Sequence, residues 1–369
     1  MGEPLRIGII GLGTISAQYL HTLDRLESVE LVAVADLDHS LAQAVAEERT
    51  GVRACGVAQL LAATDVELVL NLTIPAAHAG IALQAISAGK HVYGEKPLGL
   101  NTAEGQEVLT SAAAAGVLIG CAPDTVLGTG IQTARKAIDD NLIGLPIAAT
   151  ATMMVPGHER WHPNPDFYYQ PGGGPLLDMG PYYLSALVTL LGPVTTAIGA
   201  SSRTRSTRTI GSGGRAGQVI PVATDTHITG ILTHATGVVS TVVMSFDAVA
   251  TRSANIEIHG ESGTMVVPDP NHFSGDVQVR TLDSNTWTTL PVSAGYPNAG
   301  RGIGIADLAG TPAGTSPRAG GQLAYHVLDI MEMVLASAET GRALPVRSTA
   351  ERPAAVPLQA KSPAASAHR

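Results

Sequence analysis

The run Arg6-Ile-Gly-Ile-Ile-Gly11-Leu-Gly13-Thr-Ile-Ser16 limits this chain more than any other stretch, because an apolar strand enters a glycine turn and a helix opens directly behind it. Gly11 permits the tight turn, Gly13 lets the backbone come close to a pyrophosphate, and the helix start offers unpaired N–H groups to that anion. A second apolar strand, Leu31 to Ala35, follows the helix and ends in Asp36, 25 residues after Gly11. A carboxylate there accepts hydrogen bonds from the adenosine ribose hydroxyls and repels a 2′-phosphate. The pattern predicts a βαβ unit that binds a dinucleotide through Gly11, Gly13, Thr14, Ile15 and Asp36, with NAD preferred. Ser16 stands at the third glycine position, and Arg49 and Arg53, nearby in sequence, leave NADP open. The plainer alternative is a glycine-rich strand-to-helix turn that holds no nucleotide.

From Leu5 to Cys121 short β-branched runs alternate with helical-period stretches, the rhythm of a parallel sheet with crossover helices. Strands are expected near 5–10, 31–36, 67–73, 90–94 and 117–121, with helices over the Ile15, Tyr19, Leu23 and Leu26 stripe, over 76–88 and over 102–115. Asn101 with Glu104 three residues later resembles a helix-start box. Beyond residue 123 the texture changes. A helix near 130–140, a strand at 147–155, a proline- and aromatic-rich loop over 156–175 and a helix at 180–191 precede strands at 226–233, 237–245, 254–259, 263–267 and 276–282. Their short Gly- and Ser-bearing connections argue for antiparallel pairing. Gly302 to Gly321 reads as a connection, and the last helix carries the stripe Ala324, Val327, Leu328, Met331, Val334, Leu335 and Ala338 up to Gly341. The expected class is α/β, with a Rossmann domain over 1–123, a substrate-binding and oligomerisation domain over 124–349, and a flexible Pro- and Ala-rich tail over 350–369.

With 369 residues, 45% of them hydrophobic and 14% charged, the chain is no disordered, collagenous or coiled-coil protein, and its length favours two cores. A net charge of −9 disfavours nucleic acid as a partner. Cys55 and Cys121 give neither a disulfide framework nor metal-ligand spacing, which suits a reducing, cytoplasmic setting. The charge-free stretches 68–89 and 179–202 are broken by Pro75, Pro181 and Pro193, so no membrane span is expected. No export signal or myristoylation site is expected at the N-terminus either.

Two further clusters carry chemistry. Glu95-Lys96-Pro97 follows the strand at 90–94, where open parallel sheets bind ligands, and an ammonium there stabilises an alkoxide as hydride leaves. The bland alternative is a surface lysine paired with Glu95. In Gly172-Gly-Gly-Pro-Leu-Leu-Asp178-Met-Gly-Pro-Tyr182, Pro181 suits a first helical turn, and Asp178 and Tyr182, four apart, share a helix face. Asp178 as an N-cap and the tyrosines as core packing remain an equal reading. His158, His162 and His326 are reserve site candidates, and His326 lies off its helix's apolar stripe. Arg203, Arg205, Arg208 and Arg215 read as a solvated loop, with an anion site or a subunit contact as alternatives.

Together with Thr73-Ile-Pro-Ala-Ala-His78 and Trp161-His-Pro-Asn-Pro, these motifs stand in an order that resembles the Gfo/Idh/MocA oxidoreductase family over nearly the whole chain. The resemblance implies a Rossmann domain joined to an α/β domain with an open, mostly antiparallel sheet. It implies that Lys96 is catalytic and touches the reacting hydroxyl, and that the Lys96-Pro97 bond is cis. Thr73, Pro75, His78, Glu95 and Lys96 would lie beside the cofactor, and Lys96, Trp161, His162, Asp178 and Tyr182 would meet the substrate. Many relatives carry a histidine base where this chain has Tyr182, so a Lys96 and Tyr182 pair, with Asp178 orienting the substrate, is expected instead. The implied reaction moves a hydride between NAD(P) and a secondary hydroxyl or ketone of a sugar, inositol or related polyol, in a homodimer or homotetramer. Two other family activities compete with it: an NAD-dependent glycosidase cycle and a non-catalytic NAD(P)-binding regulator.

Overall fold

Six strands, β1 (Leu5–Ile10), β2 (Val29–Ala35), β3 (Arg53–Ala54), β4 (Leu68–Asn71), β5 (His91–Gly94) and β6 (Ile119–Cys121), form one sheet in the order β3-β2-β1-β4-β5-β6. Every neighbouring pair is parallel. Parallel neighbours need crossovers, which are supplied in turn by α1 (Ser16–Leu23), α2 (His39–Glu47), α3 (Val57–Ala62), α4 (Pro75–Ser87) and α5 (Thr102–Ala115). Covered on both faces, the central strands are mostly apolar, and Ile7, Ile9, Leu68, Val69 and Leu70 are fully buried. The strand order reverses between β1 and β4, the switch point at which such sheets bind ligands at their carboxyl ends.

Local signals start and stop these helices. Asn101 Oδ1 accepts the Glu104 N–H at 3.0 Å to open α5, which closes on Gly116 in the left-handed region, and Asp38 Oδ1 accepts the Ser40 N–H at 3.0 Å to open α2. The Glu104 carboxylate reaches the Leu100 N–H at 2.9 Å, so the helix-start box is closed one residue earlier than its usual form.

The structure, a computed structural model, describes residues 3–312 and 314–358. Two compact units divide the described residues: the first takes those within 3–129, 294–325 and 353–358, the second Gly130–Ser293 and His326–Arg352. Segment 294–325 includes α8 (Ile303–Ala309), where the sequence suggests only a connection. The first unit holds α8 in place through buried Asp124, whose Oδ2 accepts the N–H groups of Gly302 at 2.8 Å and Gly304 at 3.0 Å. Of the expected tail, Ala350 and Val356 are buried, while residues 359–369 lie outside the described residues.

In the second unit, α6 (Thr129–Asp139) leads into β7 (Pro146–Met154), and α7 (Pro175–Leu191) into β8 (Val194–Ser202). A small pair, β9 (Thr207–Thr209) and β10 (Val219–Pro221), precedes β11 (His227–His234), β12 (Val239–Ser245), β13 (Ile256–Gly260), β14 (Gly263–Val267), β15 (Gln278–Thr281) and β16 (Thr288–Thr289). After α9 (Gly321–Thr340) comes β17 (Leu344–Pro345), which completes a nine-stranded sheet in the order β16-β15-β14-β13-β7-β12-β11-β8-β17.

Pairing in that sheet is antiparallel except between β12 and β7, which are parallel. The long excursion through α7 and β8 lets the chain return beside β7 in the same direction. The β8 strand opens with β-branched residues but continues through Gly199, Ala200 and Ser201, and its inner face is small where α9 presses close. A Cβ on Gly199 would overlap the Val334 carbonyl oxygen, and the Gly199 N–H donates to Ser337 Oγ at 2.8 Å. The α7 helix begins at Pro175, not near 180, so Pro181 lies inside it and Pro175 is the proline of its first turn.

Candidate active site

The first unit builds a cradle at the tip of β1. Gly11 sits at φ +97°, and a Cβ there would stand 2.7 Å from the Leu72 carbonyl carbon and oxygen, so only glycine fits. Gly13 faces open space, with nothing within 4 Å of the point where a Cβ would stand. Among the described residues, the N–H groups of Gly13, Thr14 and Ile15 carry no hydrogen bond, and α1 starts at Ser16 without a side-chain cap. Three free donors at a helix start form an anion site, which is what a pyrophosphate requires. Ser16 Oγ donates to the Gly13 carbonyl at 2.7 Å, so the serine in the third glycine position braces the turn.

Asp36 stands at the end of β2 with both oxygens engaged. Oδ2 accepts the Leu12 N–H at 2.6 Å and Oδ1 the Asp38 N–H at 2.9 Å. Each carboxylate oxygen retains a second acceptor direction for a ribose hydroxyl. Leu37 is fully exposed beside it, and Ile74, between Thr73 and Pro75, is 69% exposed. Such unburied large apolar side chains suit the faces of an adenine ring, and the alternating pattern of the sequence hides them among core positions.

The loop after β4 is tied to the loop after β5. Asn71 Oδ1 accepts from Thr73 Oγ1 at 2.6 Å, and Asn71 Nδ2 donates to the His78 carbonyl at 3.0 Å. Buried His78, in α4, places Nδ1 2.7 Å from the Pro97 carbonyl and Nε2 3.0 Å from the Thr73 carbonyl. Both ring nitrogens are therefore spent on protein, and His78 joins the two loops. Exposed Pro75 is the first residue of α4. The Lys96-Pro97 bond is cis, and so is Ala122-Pro123. Glu95 is held at both oxygens, Oε1 by the Tyr19 hydroxyl at 2.8 Å and Oε2 by the Lys96 N–H at 3.1 Å. Burial, reinforced by the Glu95 charge, holds the Tyr19 phenol well above its ordinary pKa, so it stays a donor. The half-buried Lys96 thus extends from a backbone fixed at the residue before it and the residue after it.

In the second unit, Asp178 lies in the first turn of α7 and Tyr182, nearly buried, one turn further on. Gly174 is the N-cap, and Asp178 donates its own N–H to the Gly174 carbonyl at 3.1 Å, so the capping alternative for its carboxylate is excluded. His158 Nε2 lies 3.1 Å from Asp178 Oδ2. Trp161 Nε1 donates to His158 Nδ1 at 3.2 Å, and the Trp161 ring is 58% exposed. His162 accepts the Asn164 N–H at Nδ1 and packs edge-on against Trp161 and Phe167; burial lowers its pKa.

The arginine run is not a solvated loop throughout. Arg208 is almost fully buried, donates to Glu159 Oε1 at 3.1 Å and the Phe246 carbonyl at 3.2 Å, and pairs with Asp247. Arg215 makes a two-pronged bond to Asp166 at 2.6 and 2.9 Å. Both arginines anchor the 158–169 loop. His326 is also corrected: it is fully buried, its Nε2 accepts the Val194 N–H at 3.0 Å, and Nδ1 meets Ser348 Oγ at 2.8 Å. It is a core residue, whose off-stripe position faces β8.

The first unit's cradle and the second unit's mixed sheet define an NAD-binding Rossmann oxidoreductase with a separate α/β unit. Residues 5–122 match the family model described as the oxidoreductase family, NAD-binding Rossmann fold, and residues 131–266 that of the GFO/IDH/MocA C-terminal domain. The chain belongs to the Gfo/Idh/MocA family. It is 26% identical to the dTDP-3,4-didehydro-2,6-dideoxy-alpha-D-glucose 3-reductase of Actinomadura kijaniata over 84% of this chain and 89% of that protein. It is 31% identical to the 1,5-anhydro-D-fructose reductase of Ensifer adhaerens over 47% of this chain, and the match spans only about half of that relative, 53%. Among solved structures, an NAD binding oxidoreductase from Klebsiella pneumoniae has the same fold at 23% identity, with a TM-score of 0.81 over 94% of this chain and 99% of that one. A levoglucosan dehydrogenase in complex with NADH and L-sorbose is similar at 21% identity, with a TM-score of 0.78 over 94% of this chain and 100% of that one.

Proposed function

We propose that the chain transfers a hydride between NAD and a secondary hydroxyl, or the matching ketone, of a sugar, inositol or related polyol. The observation that carries the reading is the anion cradle at Gly13, Thr14 and Ile15 with Asp36 at the end of the next strand, in a chain whose relatives include proteins named as reductases of 1,5-anhydro-D-fructose and of a dTDP-linked dideoxy sugar. When bound, the nicotinamide supplies the hydride acceptor or donor. The chain's part is to hold charge and protons. The Lys96 ammonium stabilises the substrate oxygen as it gains alkoxide character, Tyr182 carries the hydroxyl proton, and Asp178 orients the ring through a hydroxyl. Trp161 and His162 offer aromatic edges and faces for the apolar side of a sugar ring. Asp36 favours NAD and leaves NADP as the weaker cofactor.

Free cysteines at 55 and 121 fit a reducing cytoplasm. Among the described residues, no helix is long and apolar enough to cross a membrane. The outer face of the nine-stranded sheet carries Ile198 opposite Ile231, each more than 40% exposed, and we infer that a second copy of the chain covers it in a homodimer or homotetramer.

The test is a panel of sugars, inositols, polyols and chromophoric glycosides with NAD or NADP, followed by nicotinamide absorbance. Lys96→Ala should still bind NADH and lose turnover by about a thousandfold or more, the scale of a lost electrostatic stabiliser. Parent-like turnover in that variant removes Lys96 from the reaction, and aglycone release without NADH accumulation replaces the dehydrogenase with a glycosidase.

A further inference from the structure

Asp178 has a fixed neighbour that the motif around it does not reveal. An indole N–H can only donate, so the 3.2 Å contact from Trp161 Nε1 makes His158 Nδ1 an acceptor. The ring proton of neutral His158 then sits on Nε2, which faces Asp178 Oδ2 at 3.1 Å. A doubly protonated ring would set N–H against N–H at Trp161. The ring is wedged between Tyr168, at 4.6 Å between centroids, and Phe246, at 4.4 Å, so it cannot turn over freely. Its backbone is pinned as well, since the adjacent Glu159 accepts from Arg208 through its carboxylate and from the Gly211 N–H at 2.7 Å through its carbonyl.

We propose that His158 is a positioning residue for the reaction: locked by Trp161 as the neutral Nε2–H tautomer, it donates to the Asp178 carboxylate and aims that group at the substrate. This rests on the role proposed above for Asp178. The same geometry excludes His158 as the general base that Tyr182 displaces in this chain, because neither of its nitrogens keeps a free lone pair. Trp161 therefore has two tasks, a ring exposed to ligand and an N–H that sets a tautomer.

The tautomer is read directly, without substrate, from long-range proton–nitrogen correlation spectra of the full chain labelled with 15N-histidine at pH 7.5. The His158 signals are those missing from His158→Gln. A ring protonated at Nε2 alone is expected, and Trp161→Phe should convert it to a tautomer mixture. A ring protonated at Nδ1, or at both nitrogens, overturns the proposal. With the best substrate of the panel, His158→Phe keeps the ring packing and loses the donor, so kcat should fall about tenfold to a hundredfold, the scale of a lost hydrogen bond to a charged group, with NADH affinity unchanged. His158→Gln, which retains an amide donor, should recover most of that loss. Equal kcat in parent and His158→Phe overturns the positioning role even if the tautomer is as expected. If no panel member turns over, the hydride-transfer reading fails, and the spectra alone decide the tautomer lock.

Discussion

Replacing Asp124 by asparagine should make the protein more stable at neutral pH and leave it nearly unchanged in acid. The Asp124 carboxyl is fully buried; Oδ2 accepts two N–H groups at the start of α8, and Oδ1 has no hydrogen-bond partner among the described residues. Burial pushes its pKa up from 3.8 to about 6, although the two N–H donors and Arg301 pull the other way. A carboxyl raised in the folded state holds its proton between those values while the unfolded chain releases it. Stability therefore falls as pH rises from about 4 to about 6 and levels off above that. The shift of roughly 2 units, at about 1.4 kcal/mol each, sets the cost near 3 kcal/mol at pH 8. Asparagine keeps an acceptor for Gly302 and Gly304 and carries no charge. Urea unfolding at pH 4.5, where about a third of the cost remains, and at pH 8, for parent and Asp124→Asn, isolates the effect because other titrating groups cancel in the difference. Far-UV circular dichroism is the suitable probe, since Trp161 and Trp287 both lie in the second unit and report nothing of Asp124. A parent-to-variant difference that is the same at both pH values would refute the buried-charge reasoning.

Other substitutions test the remaining structure. Asp36→Asn keeps one acceptor, for the Leu12 N–H, but removes the charge that repels a 2′-phosphate, so the ratio of NADP to NAD affinity should rise about tenfold by calorimetric titration. His326, pushed down from 6.5 to about 4 chiefly by burial, stabilises the fold above pH 6.5 and loses that contribution as pH falls toward 4; His326→Gln should flatten this acid limb of the melting temperature. Gly199→Ala forces a methyl against the Val334 carbonyl, and a loss of about 1–3 kcal/mol in urea unfolding is expected.

What could be read from the sequence was local. The strand, glycine turn and acidic residue of the first βαβ unit are complete within residues 6–36, so the turn and the start of its helix can be read locally. The α8 helix cannot, because its cap is Asp124, 178 residues before Gly302. Nor can β8, whose glycine answers to α9 rather than to strand propensity. Two Gly-Pro pairs, at 174–175 and 180–181, compete to start α7, and local sequence does not choose between them; the helix takes Pro175. The residues around Asp178 and Tyr182 were named, but the histidine that faces Asp178 comes from a turn 20 residues earlier. Arg208 reads as solvated from its neighbours for the same reason: Glu159 and Asp247, which justify its burial, lie 49 and 39 residues away.

The arginine anchors bear on how far the loop between them tolerates change. Because Arg208 and Arg215 grip Glu159 and Asp166, the loop keeps its course by ionic fastenings that leave the rings at 161 and 167 out of the bargain. Libraries that randomise Phe167 while sparing the four fastening residues should fold as the parent does, whereas libraries that touch buried Arg208 or Glu159 should yield mostly aggregates.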